Sequence, residues 1–236
     1  MMIPLSSQAD NVIISGLTAA GKTTLASLLA RQYDLHYLSA SQTMLKLAGL
    51  SARQSPDFWV TTEGMGLGRR IGWNQVDEEI RRVEGESHQT VFDCLSLPWV
   101  HRQKSLVIWL ESSLSSRVMK AIVSHQGQNN LTPVEVKKKI SLKDRMARQE
   151  ILAHYGVDIF RDRSPFNLII DVSGFITAPT EAAARLGIQQ VGDIISSAVG
   201  WYIYRDRYHR KRFQSYLYIY GRQVIKRYPG EENRPI

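Results

Sequence analysis

The residues whose types and spacing could do chemistry stand early in the chain: Gly16-Leu17-Thr18-Ala19-Ala20-Gly21-Lys22-Thr23-Thr24, a G-x-x-x-x-G-K-[ST] pattern. Gly16 and Gly21 permit a tight turn and a close approach of backbone to ligand. The N–H groups of Thr18, Ala19, Ala20, Gly21, Lys22, Thr23 and Thr24 can then cradle phosphate oxygens, helped by the positive end of a following helix. Lys22 can reach the outer phosphates of a nucleoside triphosphate and stabilise charge while a phosphoryl group moves, which makes it the first catalytic candidate. Thr23 offers a hydroxyl to a magnesium ion. The implied ligands are ATP and Mg2+.

The elements that must position this loop are legible on both sides of it. Asn11-Val12-Ile13-Ile14-Ser15 is an apolar run long enough for a buried strand, and Leu25, Leu28 and Leu29 give the next segment one apolar helical face. Further strand candidates are Leu35 to Ser39, Thr90 to Cys94, Leu106 to Leu110 and Asn167 to Asp171, separated by helical segments. That alternation predicts an α/β fold with a five-stranded parallel sheet, helices on both faces and ligands at the carboxyl ends of the strands. Asp93 and Asp171 stand at such ends. Asp93 is the candidate base for a hydroxyl acceptor, or the carboxylate that orders the water shell of the magnesium ion.

Thr132-Pro133-Val134-Glu135 predicts a capped helix start, and Gly156 a stop after Tyr155. The helix carries six Lys and Arg residues, among them Lys143, Arg145 and Arg148, and beside a phosphate loop it reads as a mobile lid. Gly64-Met65-Gly66-Leu67-Gly68-Arg69-Arg70 has no strand before it and reads as a flexible loop carrying Arg69 and Arg70.

At 236 residues, 43% hydrophobic and 22% charged, the chain has material for one α/β domain with a small appendage. No apolar run reaches the length of a membrane span, the first ten residues lack the basic and apolar stretches of a signal peptide, and Cys94 has no disulfide partner. No membrane and a cytoplasmic location are the expectations. The net charge of +8 is concentrated: from Trp201 onward nine Lys and Arg face three Asp and Glu, interleaved with tyrosines. Such a tail can pack on the domain or on a second subunit, making a homo-oligomer, and packing is the preferred reading; binding of nucleic acid is the alternative.

The chain also resembles cytidylate kinases of the compact archaeal type, within the adenylate kinase-like P-loop kinases, over roughly residues 11 to 195. The resemblance rests on Ile14 to Thr24, Leu38-Ser39-Ala40-Ser41, Asp93, Ile108-Trp109-Leu110-Glu111 with Leu114 and Arg117, and Tyr155-Gly156-Val157-Asp158-Ile159 followed by Asn167 to Asp171. It implies a kinase domain over 1–197, with an acceptor arm at about 41–88 and a lid at about 117–155, and a basic, tyrosine-rich extension over 198–236. It implies transfer of the γ-phosphoryl group of ATP to a nucleoside monophosphate, with Arg117, Arg145 and Arg148 holding phosphates. The acceptor side departs from the pattern. Gln42 and Leu45 stand where the family usually has an acidic residue and an arginine, and Asp93-Cys94-Leu95 lacks the arginine common after that strand. Arg69 and Arg70, with Asp93 and Arg117, are the candidates for acceptor binding. The alternatives are a kinase acting on a hydroxyl of a nucleoside, small metabolite or nucleic acid, and a domain that only senses ATP.

Overall fold

A computed structural model describes residues 11–51, 62–124 and 131–228. The first strand, β1 (Asn11–Gly16), is buried along its whole length at the middle of a sheet. The strand pattern explains its place. Val12 and Ile14 point into one apolar core and Ile13 into the other, the period-2 alternation of a strand covered on both faces. After β1 come α1 (Lys22–Tyr33), β2 (His36–Ser39), α2 (Ala40–Leu47), α3 (Thr62–Ile71), α4 (Trp73–Glu86) and β3 (Thr90–Asp93). They are followed by β4 (Ser105–Glu111), α5 (Leu114–Ser124), α6 (Pro133–Tyr155), β5 (Leu168–Asp171), α7 (Glu181–Tyr202), α8 (Arg207–Val224) and β6 (Ile225–Arg227).

The strand order is β2-β3-β1-β4-β5-β6. The first five strands in that order are parallel, which are the five read from the sequence, and β6 adds an antiparallel edge to β5. This sixth strand was not expected. It comes from the tail, where Ile225 pairs with Ile170 and enters the core beside Phe213 and Ile203. The boundary expected at 197/198 falls inside α7, which runs unbroken to Tyr202. Five of the seven tail tyrosines are spent on packing: Tyr204 stacks on Tyr33 with centroids 5.1 Å apart, and Tyr202, Tyr216, Tyr220 and Tyr228 lie against the same core.

α6 begins and ends as its sequence demands. Thr132 and Glu135 form a reciprocal capping box, Pro133 occupies the first turn, and Gly156 closes the helix in the left-handed region with φ 68°. The segment from Gly64 to Arg70, by contrast, lies within α3 and is not a loop. Its glycines disfavour a helix, but Leu67 is buried with Val76 and Ile80 of α4, and that burial outweighs a weak local preference. Among the described residues no helix is long and apolar enough to cross a membrane.

Candidate active site

The phosphate loop is built where β1 meets α1. A Cβ on Gly16 would meet the Leu110 carbonyl oxygen at 2.8 Å, so the loop turns tightly over β4. Gly21 precedes α1 with φ 104°, and no side chain caps the first turn. The N–H groups there are therefore left for a ligand, and with no acidic residue in that turn an anion meets no repulsion. The Lys22 ammonium donates to the carbonyl oxygens of Gly16 at 2.8 Å and Leu17 at 3.2 Å. Burial lowers its pKa, opposed by the carboxylates of Asp93 and Asp144.

Asp93 reaches the loop from the end of β3, where the parallel register sets it opposite Ile14. Its Oδ2 accepts the Thr23 hydroxyl at 2.6 Å and the Tyr37 hydroxyl at 3.3 Å. Burial and the Asp93 charge push the Tyr37 phenol up to about 12, so it stays a donor at neutral pH. The other expected strand-end carboxylate, Asp171, lies away from this pair and accepts from the Ser173 N–H and the Lys226 ammonium.

The loop, Tyr37 and Asp93 form part of the wall of a cavity of about 550 Å³ that extends in two directions. Toward β5 and α7 it is an apolar slot, with Val172, Phe175, Ile176 and Ile188. Gly187 of α7 is needed there, because a Cβ would strike the Phe175 carbonyl oxygen at 2.4 Å. Toward α2, α4 and the end of α6 the walls carry Met44, Leu45, Asp77, Ser96 and Tyr155. Asp77 accepts from both hydroxyls, Ser96 on Oδ1 and Tyr155 on Oδ2, each at 2.7 Å. Burial raises its pKa despite these bonds. Cys94 is buried next to Ser96, and burial lifts its thiol to about 12, which makes it unreactive.

The expected lid residues are distributed differently from the expectation. Arg117 donates to the Thr18 carbonyl oxygen at 3.0 Å and pairs with Asp144 at 2.5 Å, while the other Asp144 oxygen accepts the Thr18 N–H. The pair is buried and ties α5 and α6 to the phosphate loop. Arg148 pairs with Asp158 at 2.5 Å and lies 5.0 Å from the Phe160 ring, and Arg145 is exposed. Neither borders the cavity. The helical period explains this: the cavity face of α6 holds Ile140, Lys143, Ala147 and Ile151, and Arg145 and Arg148 are rotated far from that stripe. Lys143 was passed over in the sequence, although a lysine set among apolar residues at i, i+3, i+7 and i+11 was a usable signal. Lys120 of α5 also borders the cavity and donates to Ser112 Oγ at 3.0 Å and the Val172 carbonyl oxygen at 3.3 Å.

Of the acceptor candidates, Arg70 is exposed on α3, and the side chain of Arg69, on the same helix, lies outside the described residues. Among the described residues no arginine borders the cavity; its ammonium groups are Lys22, Lys120 and Lys143. Asp77 and Tyr37 had no local sequence signal, and Tyr155 was legible only as a helix end and part of a motif, since the three come together only when α4, α6 and β2 assemble.

No protein-family model matches the chain. It is similar to the cytidylate kinase of Sulfurisphaera tokodaii, 24% identical over 164 residues, which span 68% of this chain and 84% of that protein. Among solved structures, an uncharacterized protein from Eubacterium ventriosum superposes with a TM-score of 0.52 at 10% identity, over 79% of this chain and 95% of the other. Shikimate kinase from Acinetobacter baumannii, in complex with shikimate, gives a TM-score of 0.45 at 15% identity, over 80% and 94% of the two chains. The phosphate loop at the end of a central parallel strand and the likeness to cytidylate kinase together support an ATP-dependent kinase.

Proposed function

We propose that the chain transfers the γ-phosphoryl group of ATP to a hydroxyl of a small acceptor bound between α2, α4 and α6. The observation that carries this reading is the chemistry of the cavity away from the apolar slot: the carboxylates of Asp77, Asp93 and Glu150 border it together with His154, and among the described residues no arginine does. A phosphate acceptor brings two negative charges and calls for cationic partners, usually bidentate arginines. A hydroxyl brings none and needs a base.

The residues present fit ATP with magnesium. The uncapped first turn of α1, the tight turn at Gly16 and the ammonium of Lys22 suit a triphosphate, and the apolar slot at Phe175 and Ile176 suits a flat heterocycle. Magnesium, when bound, neutralises charge on the outer phosphates; Thr23 would hold it and Asp93 would order its shell. In the transfer, the bond between the γ-phosphorus and the bridging oxygen breaks, leaving its electron pair on the β-phosphate. The acceptor oxygen forms the new bond, and its proton passes to Asp93. Lys22 turns from the Gly16 and Leu17 carbonyl oxygens toward the developing charge.

A second reading, transfer to a nucleoside monophosphate, is favoured by the similarity to cytidylate kinase. ADP release with labelled ATP, measured across nucleosides, polyols and nucleoside monophosphates, separates the two. Turnover only with phosphate acceptors would overturn the hydroxyl reading and leave the donor half intact.

A further inference from the structure

α8 spends one side on the core and turns the other to solvent. Phe213 is buried, and Tyr216, Leu217, Tyr220 and Val224 pack against the same core. These positions recur at i, i+3, i+4, i+7 and i+11, so they fill one face of the helix. The side left in solvent holds Arg207, Tyr208, Lys211, Tyr218, Ile219 and Arg222, with Tyr218 93% exposed. From Arg207 to Tyr228 the chain has seven Lys and Arg and no Asp or Glu. The acids beside the helix are engaged: Asp206 caps its first turn, and Asp193 of α7 meets Arg212 at 3.4 Å. The outer face is therefore positive, and it presents two exposed tyrosine rings about 15 Å apart along the helix axis. We infer that this face docks single-stranded nucleic acid, with Arg207 and Lys211 on phosphates and Tyr218 stacked on a base.

Charge and ring together select that occupant. Phosphates are drawn to the two cations, and an unpaired base offers a flat face to the Tyr218 ring. A second copy of this chain fits poorly, because a two-fold contact would set the same cations against one another. An anionic lipid surface calls for a broad apolar face to insert, and that face of α8 is already spent on Phe213, Leu217 and Tyr220. The surface is also separate from the acceptor end of the cavity. α8 packs on α7, β5 and β6, at the edge of the sheet opposite β2. The inference thus stands whether the acceptor is a hydroxyl or a phosphate.

Fluorescence anisotropy on the full chain tests it with labelled oligouridylate and oligothymidylate. An oligonucleotide duplex and vesicles of anionic phospholipid serve as comparisons. The parent should bind both single strands, and binding should fall steeply from about 50 to about 200 mM salt. Replacing both cations, Arg207→Gln with Lys211→Gln, should reduce the log–log salt slope by about 1.4, the share of two single-strand phosphate contacts. Tyr218→Ala should weaken binding about fivefold or more, and Tyr218→Phe should match the parent. These side chains lie in solvent, so thermal melts and magnesium-ATP binding should not change in the variants. Failure of the parent to bind single strands at low salt would overturn the inference. So would binding that the charge and ring variants leave unaltered, or equal affinity for the duplex. Vesicle binding without oligonucleotide binding would assign the face to lipid instead, and an assembly mass that falls in Tyr218→Ala, again without oligonucleotide binding, to a second copy.

Discussion

The hydroxyl of Thr23 donates to the Asp93 carboxylate across 2.6 Å, joining the first turn of α1 to the end of β3. One residue belongs to the phosphate loop and the other to the side of the cavity where the acceptor would lie. The bond therefore holds a carboxylate against the phosphate loop, where the proposed transfer would need its base.

Asp93→Asn tests this arrangement. With a hydroxyl acceptor the rate should fall about 10²–10⁴-fold, since the proton loses its recipient. The deficit should shrink at high pH, where the hydroxyl ionises more readily. A phosphate acceptor, already ionised, would show a small loss with little dependence on pH. Initial rates from pH 6 to 10 decide between the two.

Lys22→Ala should reduce phosphoryl transfer by at least about 10²-fold, because the ammonium acts on charge that develops during the reaction. Its native bonds are to loop carbonyl oxygens at the cavity wall, so the melting temperature should change little. Turnover within a few-fold of the parent would contradict the role given to the loop.

Asp77→Asn should stabilise the fold and damage acceptor binding together. Burial raises the pKa of Asp77, so the folded protein holds this proton more tightly than the unfolded chain does. Its contribution to stability is thus greatest at low pH and is lost as pH rises through the raised value. Removing the charge should lift the melting temperature at pH 7 by roughly 2–4 °C, the shift that about 1 kcal/mol gives in a chain of this size. The gain should vanish as pH falls into the usual carboxylate range. KM for the acceptor should rise while KM for ATP holds.

Tyr220→Ala probes the tail. The Tyr220 ring lies 5.5 Å from that of Phe175, which borders the apolar slot of the cavity. Loss of this support should raise KM for ATP several-fold with kcat nearly unchanged, and Tyr220→Phe should behave like the parent. Equal effects on KM for ATP and for the acceptor would mean general loosening instead. β2, which leads into α2, and β6 lie at opposite edges of the sheet, about 24 Å apart at the usual strand spacing, so the acceptor end should be indifferent to this change.

Those residues whose role depends on neighbours in sequence were legible without a structure. The phosphate loop between strand and helix, the five parallel strands, the capping box at Thr132 and the stop at Gly156 each follow from local backbone chemistry over a few residues. The choice among side chains on one helix was not legible. The resemblance pointed to Arg145 and Arg148 on α6, but the rotational phase at which α6 packs on α5 turns Lys143 to the cavity and leaves Arg148 to Asp158. The tail shows the same limit. Its basic and aromatic pattern reads alike for a surface helix and a packed one, and pairing of Ile225 with Ile170 and burial of Phe213 made it part of the sheet and core. Asp77 likewise gains its partners from β3's following turn and from the end of α6, 19 and 78 residues away. Motifs are set by short-range backbone geometry and so are written in the sequence; which charges share a cavity is set by packing between distant elements, and that only the tertiary structure decided.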